Sequence, residues 1–594
     1  MNKNDLYDSE LTKQVLDILL SLKRERYSNQ RVLAENTCLS LGAVNKSLRI
    51  LEKSGLIDKN YVLTAKGKAL IKNRSPKRAV ILAAGIGMRM VPINTITPKA
   101  LLEVKGEVLI ERQIRQLNEV GITDISVVVG FMKESFEYLV DKYNIKLIAN
   151  EYYASKNNIY SLSKASDRIS NCYIIPSDMW SEINPFNREE LYSWYMVTDG
   201  QDKNSLVRIN RKKELVSLSS NETGNRMIGI AYLLKHDAET VAANLSNLLN
   251  DGRHDEAFWE EALFNDDRMF INARMVSDKN VKEINTYEQL REIDSGSDHL
   301  RNDAISTISE IFGCKEEDIK DIKVLKKGMT NRSFLFSVNG IKYIMRIPGE
   351  GTDILINRKQ EVEVYKTISG LGLCDDPVYI NPENGYKITR YLEGIRVCNP
   401  EEDEDLVRCM RKLKEFHEME LKVDHEFDIF GQIDFYESLW HGMPSVYRDY
   451  TDTKTKVMSL RDVIAGLDKK SCLTHIDAVP DNFLFFSPDG SKKEFLQLTD
   501  WEYSGMQDPH VDIAMFCIYS LFDKSGCDHL IDIYFDGKCD TKTRRKIYCY
   551  IASCGLLWSN WCEYKRYLGV EFGEYNIRQY RYAKDFYRFA VELL

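Results

Sequence analysis

The chain has 594 residues, of which 43% are hydrophobic, 29% charged and 10% aromatic, a globular balance that excludes a disordered, collagenous or coiled-coil protein. At about 100–200 residues per domain it holds roughly three to five domains. Thirteen cysteines without a Cys-x-x-Cys pair predict free thiols in a reducing compartment and exclude a structural zinc site. The N-terminal Met1–Asp5 lacks the charged and then apolar regions of a signal peptide, so the expected location is cytoplasmic. The 16-residue uncharged stretch Ile547–Cys562 falls short of the roughly 20 apolar residues of a membrane span and reads as a buried helix. Net charge is −9, yet residues 1–75 carry 14 Lys and Arg against 8 Asp and Glu, +6, which leaves −15 for the remainder. The basic end is therefore the only candidate nucleic-acid surface.

In chain order, apolar residues recur at helical spacing over Leu11–Leu20 and Asn29–Leu39. A third run, Leu41–Ile57, places Val44, Leu48 and Leu51 on one face, with Gly55 ending it. Tyr61–Thr64 followed by Ala65-Lys66-Gly67 predicts a returning strand and wing. Residues 1–75 thus resemble a winged helix-turn-helix of the MarR-like type, in which Ser40, Asn45, Lys46 and Arg49 would be the DNA-groove and phosphate contacts.

A basic joint, Asn73–Arg78, leads into a second domain, 76–293. Ala79–Ala84 is a compact apolar run suited to a buried parallel strand. Further strand signals at Ile125–Val129 and Cys172–Ile175, with a helix at Leu109–Val120, predict a doubly wound α/β sheet. The first strand runs into Leu82-Ala83-Ala84-Gly85-Ile86-Gly87-Met88-Arg89. Glycines at 85 and 87 let backbone N–H groups approach a triphosphate. Met90 breaks the dinucleotide fingerprint, and no Walker A sequence occurs. Lys99, within Pro98–Gly106, supplies a second cation, and two cations beside a glycine loop suit attack on an α-phosphate with pyrophosphate leaving. Leu82–Arg89 and Pro98–Gly106 together resemble the sugar-phosphate and choline-phosphate nucleotidyltransferases. The resemblance implies Arg89 and Lys99 as catalytic cations and Asp178 and Asn285 as ligands of Mg²⁺. It also implies CTP, because Asn150–Tyr153 with Asn157–Leu162, including Asn158, is similar to the family's segment near the base and ribose. Trp259 and Glu260 pair an aromatic face with a carboxylate, as a trimethylammonium head requires.

Asp294–Asp298 reads as a linker to a third domain, 294–594. A helix at Leu300–Phe312, strands at Arg332–Val338 and Lys342–Ile347, and helices from Glu402 onward predict a small β lobe and a larger helical lobe. His475-Ile476-Asp477 followed five residues on by Asn482 supplies a base for a substrate hydroxyl and an amide ligand for Mg²⁺. Asp500, 18 residues beyond Asn482, matches the second metal ligand, and His475 would orient the loop. Lys327–Phe334 takes the place of a glycine loop, Arg346 stands where a phosphate-pairing lysine would, and Glu361 is its acidic partner. Asp500–Tyr503 and Asp508–Ala514 resemble choline and ethanolamine kinases. Trp558 and Trp561, three apart on a helix face, with Tyr503, match the family's quaternary-ammonium wall.

The combined reading is a multidomain α/β and α+β enzyme in which a choline kinase feeds a cytidylyltransferase. Its partners would be ATP, CTP, choline and phosphocholine, its cofactor Mg²⁺, and its product, CDP-choline, would serve phosphocholine decoration of bacterial surface glycans. The alternatives are the same chemistry on ethanolamine or another amino alcohol, or a DNA-binding regulator that senses choline or CTP.

Overall fold

The computed structural model describes the chain except residues 1–10, 28, 38, 86, 94–96, 154–155, 211–212, 219–221, 251–253, 255–256, 326–330, 350–351, 375, 488–493, 568–571 and 594. It divides into two compact units, 1–302 and 303–594.

The first unit begins with the helices Lys13–Arg24, Gln30–Thr37 and Leu41–Lys53, whose apolar faces close on Val15, Ile18, Leu33, Val44, Leu48 and Leu51. Ser40 caps the third helix by accepting from the Ala43 N–H, and Gly55 at φ +68° turns the chain out of it. The expected strand and wing is not formed. Ile57 and Leu63 share a single antiparallel bridge, the Asp58 carboxylate accepts from the Asn60 and Val62 N–H groups at 2.8 Å each, and the segment stays a turn. Ala65-Lys66-Gly67 instead opens the helix Ala65–Arg74, because Thr64 caps it at the Gly67 N–H. A Cβ on Gly67 would lie 2.2 Å from the Leu56 carbonyl oxygen, so only glycine fits there.

The joint after this helix is tied down. Arg74 donates to the Leu191 carbonyl at 3.0 Å, Tyr232 donates to the Arg74 carbonyl, and Lys77 N–H donates to the Asn171 carbonyl at 2.9 Å. Leu191, fully buried, belongs to the winged-helix core itself. Beside it Tyr192 donates to Asp17 at 2.9 Å. Arg274 grips buried Glu190 through two bonds of 2.8 and 2.7 Å and stacks 3.8 Å from the Trp194 ring centroid.

The next sheet holds ten strands. Lys146–Ala149, Asp124–Val129, Arg78–Ala83 and Cys172–Pro176 lie side by side and parallel, as the apolar runs predict. Beyond them Gly224–Leu233 and Trp194–Asp202 join antiparallel, so the sheet is mixed rather than wholly parallel. Along the central strand Val80 and Leu82 enter one core and Ala79, Ile81 and Ala83 the other, the two-sided burial that requires a continuous apolar strand. The predicted linker Asp294–Asp298 lies inside this unit. Asp294 accepts from the Lys105 N–H at 2.6 Å, Ser297 donates to the Glu103 carbonyl, and His299 accepts from the Glu103 N–H at 3.0 Å.

The second unit opens with the helix Asp303–Phe312 and a five-stranded antiparallel sheet that includes Asn331–Val338, Ile341–Pro348 and Lys387–Arg390. Helices follow from Asp403 onward. The stretch Ile547–Cys562 lies within the helix Thr541–Tyr567, buried throughout residues 546–564. Among the described residues no helix is long and apolar enough to cross a membrane. The twelve described cysteines are free thiols.

Replacing Arg274 with alanine leaves the Glu190 carboxylate buried without its partner and is expected to cost about 3 kcal/mol. Denaturant unfolding of the full chain should show the loss in the transition of the first unit, with the second unit's transition unmoved.

Candidate functional sites

In the first unit the strand Arg78–Ala83 delivers its loop to the carboxyl edge of the sheet, the usual ligand position of such folds. A cleft of about 320 Å³ there is lined by Leu82, Ala83, Ala84, Gly85, Gly87, Arg89, Lys99, Asn158, Asp178 and Asn285. Asp178 follows the neighbouring parallel strand. Asn285, more than a hundred residues later, is brought to it because Val281–Glu283 pairs with Met179–Ser181 and the Ile284 N–H donates to the Asp178 carbonyl at 2.9 Å. Lys99 Nζ donates at 2.5 Å to both Asp178 Oδ2 and Asn285 Oδ1, and Arg89 reaches the same Asn285 oxygen at 3.2 Å. Asp178 Oδ1 is buried with no hydrogen-bond partner. Sequence reasoning missed Glu283, whose carboxyl is pushed up by burial and then by Asp178, and Lys156 on the cleft wall, where Tyr153 of the segment read as lying beside the base also stands.

Trp259 and Glu260 do not line this cleft. The Trp259 indole is buried in the core, 6.1 Å from the Tyr195 ring centroid, so it presents no open aromatic face. Its backbone N–H donates to Asn158 Oδ1 at 2.8 Å, which holds Asn158 in the cleft wall. Glu260 is buried behind, accepting from Tyr195 Oη at 3.0 Å through Oε1, while Oε2 has no partner. Burial pushes its carboxyl up to about 7. Tyr195 is itself fixed by the Gly229 N–H at 2.9 Å.

In the second unit a cleft of about 520 Å³ gathers Arg346, Asp477, Asn482, Asp500, Tyr503, Trp558 and Trp561. Asn482 Nδ2 donates to the Asp477 carbonyl and to its carboxylate Oδ2 at 2.9 and 3.0 Å, binding the two motif positions together. Ile476 and Asp500 both hold left-handed backbone, φ +67° and +65°, a strain typical of functional loops. Asp512 restrains the first of these loops by accepting from the His475 and Ile476 N–H groups. His475 is neutral, its pKa lowered to about 4 by burial, and its Nε2 bonds the Thr499 carbonyl at 2.9 Å. It thereby ties the Asp477 loop to the end of the strand before Asp500.

Arg346 forms a fork with Glu361 at 2.6 and 2.8 Å. Glu361 does not line the cleft, so it serves only to hold the guanidinium. Arg358, which bonds Glu361 and Glu502, carried no sequence signal, and Glu502, inside the Asp500–Tyr503 motif, has no role assigned by that motif although its carboxyl is raised by burial and by Asp500. Lys327–Thr330 of the predicted loop lies outside the described residues, and Asn331 and Ser333 after it line the cleft. The rings of Tyr503 and Trp558 stand edge to face at 5.8 Å, and Trp558 and Trp561 at 5.6 Å. Tyr575 completes the wall.

On the winged helix, Lys46 and Arg49 are exposed on one face. Ser40 and Asn45 spend their side chains on the helix backbone, at Ala43 N–H and the Leu41 carbonyl.

Both clefts suit a magnesium ion. Each holds an Asp and an Asn beside further carboxylates, the oxygen donors that a hard cation takes together with phosphate and water.

Residues 18–85 match the family described as wHTH-PRTase associated, 79–188 the MobA-like NTP transferase domain and 322–549 choline/ethanolamine kinase. Over 237 residues the chain is 32% identical to the choline-phosphate cytidylyltransferase of Streptococcus pneumoniae, covering 38% of this chain and 97% of that protein. It is 27% identical over 269 residues to protein LicA of Haemophilus influenzae, covering 42% of this chain and 76% of LicA. The crystal structure of choline kinase LicA from Streptococcus pneumoniae shares 30% identity, covering 48% of this chain and 96% of that one with a TM-score of 0.41.

The Asp477 carboxyl is pushed up to about 8, first by burial and then by Asp500 and Glu502. A carboxyl whose pKa rises on folding contributes stability that is complete below its unfolded value, 3.8, and is lost as pH rises through about 8. In metal-free buffer Asp477→Asn should therefore melt increasingly above the parent between pH 4 and pH 9. A gap that stays constant over that range would show that folding leaves the Asp477 proton unperturbed.

Proposed function

Because the chain belongs to the choline-phosphate cytidylyltransferase family and carries a choline/ethanolamine kinase domain behind it, we propose that one polypeptide makes CDP-choline in two consecutive steps. Three modules share the work: a winged helix at 1–75, the cytidylyltransferase from 76 to the end of the first unit at 302, and the kinase at 303–594. The observation that carries this reading is the convergence, in each unit, of the motif residues on one cleft.

In the kinase step, ATP phosphates lie against Arg346, which the Glu361 fork holds in place. Choline enters with its trimethylammonium head against Tyr503, Trp558 and Trp561, where ring faces and the nearby Glu502 attract a cation that can donate no hydrogen bond. Asp477 takes the proton from the choline hydroxyl as its oxygen attacks the γ-phosphorus, and ADP leaves. Asn482 and Asp500 hold one Mg²⁺.

In the transfer step, CTP lies along the Gly85–Gly87 loop with its base toward Asn158. The phosphate oxygen of phosphocholine attacks the α-phosphorus and pyrophosphate leaves. Lys99 and Arg89 neutralise the charge that develops there, and Asp178 and Asn285 hold the second Mg²⁺. When bound, the ions supply charge neutralisation and alignment of the phosphates. Glu260, held by Tyr195, and Glu283 give the cleft a negative field for the trimethylammonium head. Both steps draw on cytoplasmic nucleotides, and the product serves phosphocholine decoration of surface glycans. DNA, if it is a partner, meets Lys46 and Arg49.

Phosphorus NMR of the purified chain with choline, ATP, CTP and Mg²⁺ tests the reading. The parent should give CDP-choline, Lys99→Ala should accumulate phosphocholine with transfer slowed about 10²–10³-fold, and Asp477→Ala should slow choline phosphorylation about 10²–10⁴-fold. Choline left untouched by the parent would sink the proposal. Trp558→Ala should raise the KM for choline by roughly tenfold, as loss of one desolvated cation–π contact implies, with a smaller change in kcat.

A further inference from the structure

A groove larger than either catalytic cleft lies outside both of them. Between the end of the helix Lys13–Arg24, the helix Gln30–Thr37 and the Asp58–Leu63 turn is a concavity of about 980 Å³, against about 320 and 520 Å³ at the catalytic sites. Its walls carry four cations, Lys23, Arg26, Arg31 and Lys68, with Glu25 the one acidic group among them. Arg26, Arg31 and Lys68 have no ion-pair partner among the described residues, so their charge is open to a ligand. Two phenol rings, Tyr27 and Tyr61, line the same space. Tyr61 is the more telling of the two, because its backbone is left-handed at φ +59°, a conformation that a bulky residue adopts only when its surroundings impose it. Gln30 Nε2 donates to its hydroxyl at 2.9 Å, so the ring is held over the groove mouth.

Unpaired cations beside aromatic faces recognise an anion that carries a flat ring. We propose that this groove is a binding site for a nucleotide, with the phosphates on Arg26, Arg31 and Lys68 and the base against Tyr61. The concave shape and a volume within the range of small-molecule sites favour a nucleotide over duplex DNA. The outward helix residues that would enter a DNA groove, Lys46 and Arg49, are not among its lining. Lys23 reaches both ways: it lines the groove and forms an ion pair with Glu189 of the catalytic module, one residue before the Glu190 carboxylate that Arg274 grips. An occupant and the module interface therefore share one cation.

Equilibrium dialysis of the full chain against ATP and, separately, CDP-choline, without Mg²⁺, tests the site. It compares the parent with Arg31→Ala/Lys68→Ala and with Tyr61→Gly, a change that keeps the left-handed backbone and removes the ring. The parent should take up about one more equivalent of at least one of the two nucleotides than the double variant, and Tyr61→Gly should weaken that extra site at least several-fold. Equal uptake of both nucleotides by parent and double variant overturns the proposal. So does a duplex-DNA affinity that falls in the double variant while nucleotide uptake stays equal, since the groove would then be a DNA-phosphate contact. The stoichiometry decides the groove whether or not the chain makes CDP-choline, so failure here and failure of the two-step reading are separately visible.

Discussion

Each catalytic cleft is built around carboxylates that are kept from water and close to one another, and the surrounding structure exists to tolerate that repulsion. In the second unit Asp477, Asp500 and Glu502 share one wall, opposed by Arg346 and Arg358, which are themselves partly neutralised by Glu361. In the first unit Asp178 and Glu283 are close to Lys99 and Arg89, with the Glu260 carboxyl buried behind them. Charges of one sign in a low-dielectric site raise one another's energy, so both clefts are short of positive charge before any ligand arrives. The proposed ligands bring it, as Mg²⁺ on the phosphates and as a trimethylammonium group that cannot lose its charge. The raised Asp477 carboxyl expresses the same crowding, through burial first and then Asp500 and Glu502.

Holding such groups at fixed distances requires backbone that is pinned from several directions. The Asp477 loop is fastened by Asp512 below and by the His475 bond to Thr499 beside it, which places two left-handed residues, Ile476 and Asp500, on adjoining loops. Trp501 seals the back of this arrangement, its ring 4.5 Å from His475 and 5.1 Å from Phe416. In the first unit the equivalent work falls to one short ladder, Val281–Glu283 against Met179–Ser181. That ladder carries Glu283 and Asn285 across the domain to Asp178. Preorganisation of this kind is what phosphoryl and nucleotidyl transfer need, since positioning and electrostatics supply most of the rate.

The winged helix is not a tethered accessory. Leu191 of the catalytic module completes its core, and Asp17, Tyr192, Glu190 and Arg274 form a polar layer around that contact. The strand that follows carries Trp194 under Arg274 and then Tyr195, which holds Glu260. A short, packed route thus joins the winged-helix face to the residues buried behind the transferase cleft. Lys46 and Arg49 stay exposed with that contact in place.

What the sequence determined by itself was whatever is encoded in contiguous residues. The apolar run Ala79–Ala84, the glycine loop after it, the His475–Asn482 spacing and the Trp558–Trp561 pair all state their structure locally, through periodicity and fixed offsets, and the residues they name do meet in two clefts. The tertiary structure alone decided the rest. Trp259 has the composition of a cation-binding ring, yet packing against Tyr195 buries its face, and burial is a property of the whole fold rather than of a motif. Glu502, Glu283, Tyr195 and Arg358 matter through partners that are distant in the chain, and no short pattern announces such pairs. Tyr61–Gly67 reads as a wing until a carboxylate at Asp58 and a cap at Thr64 claim its backbone N–H groups. Asp294–Asp298 has linker composition, but bonds to Glu103 and Lys105 draw it into the first unit. Local propensity sets what a segment is able to form, and competition for buried hydrogen bonds and apolar contacts selects what it does form.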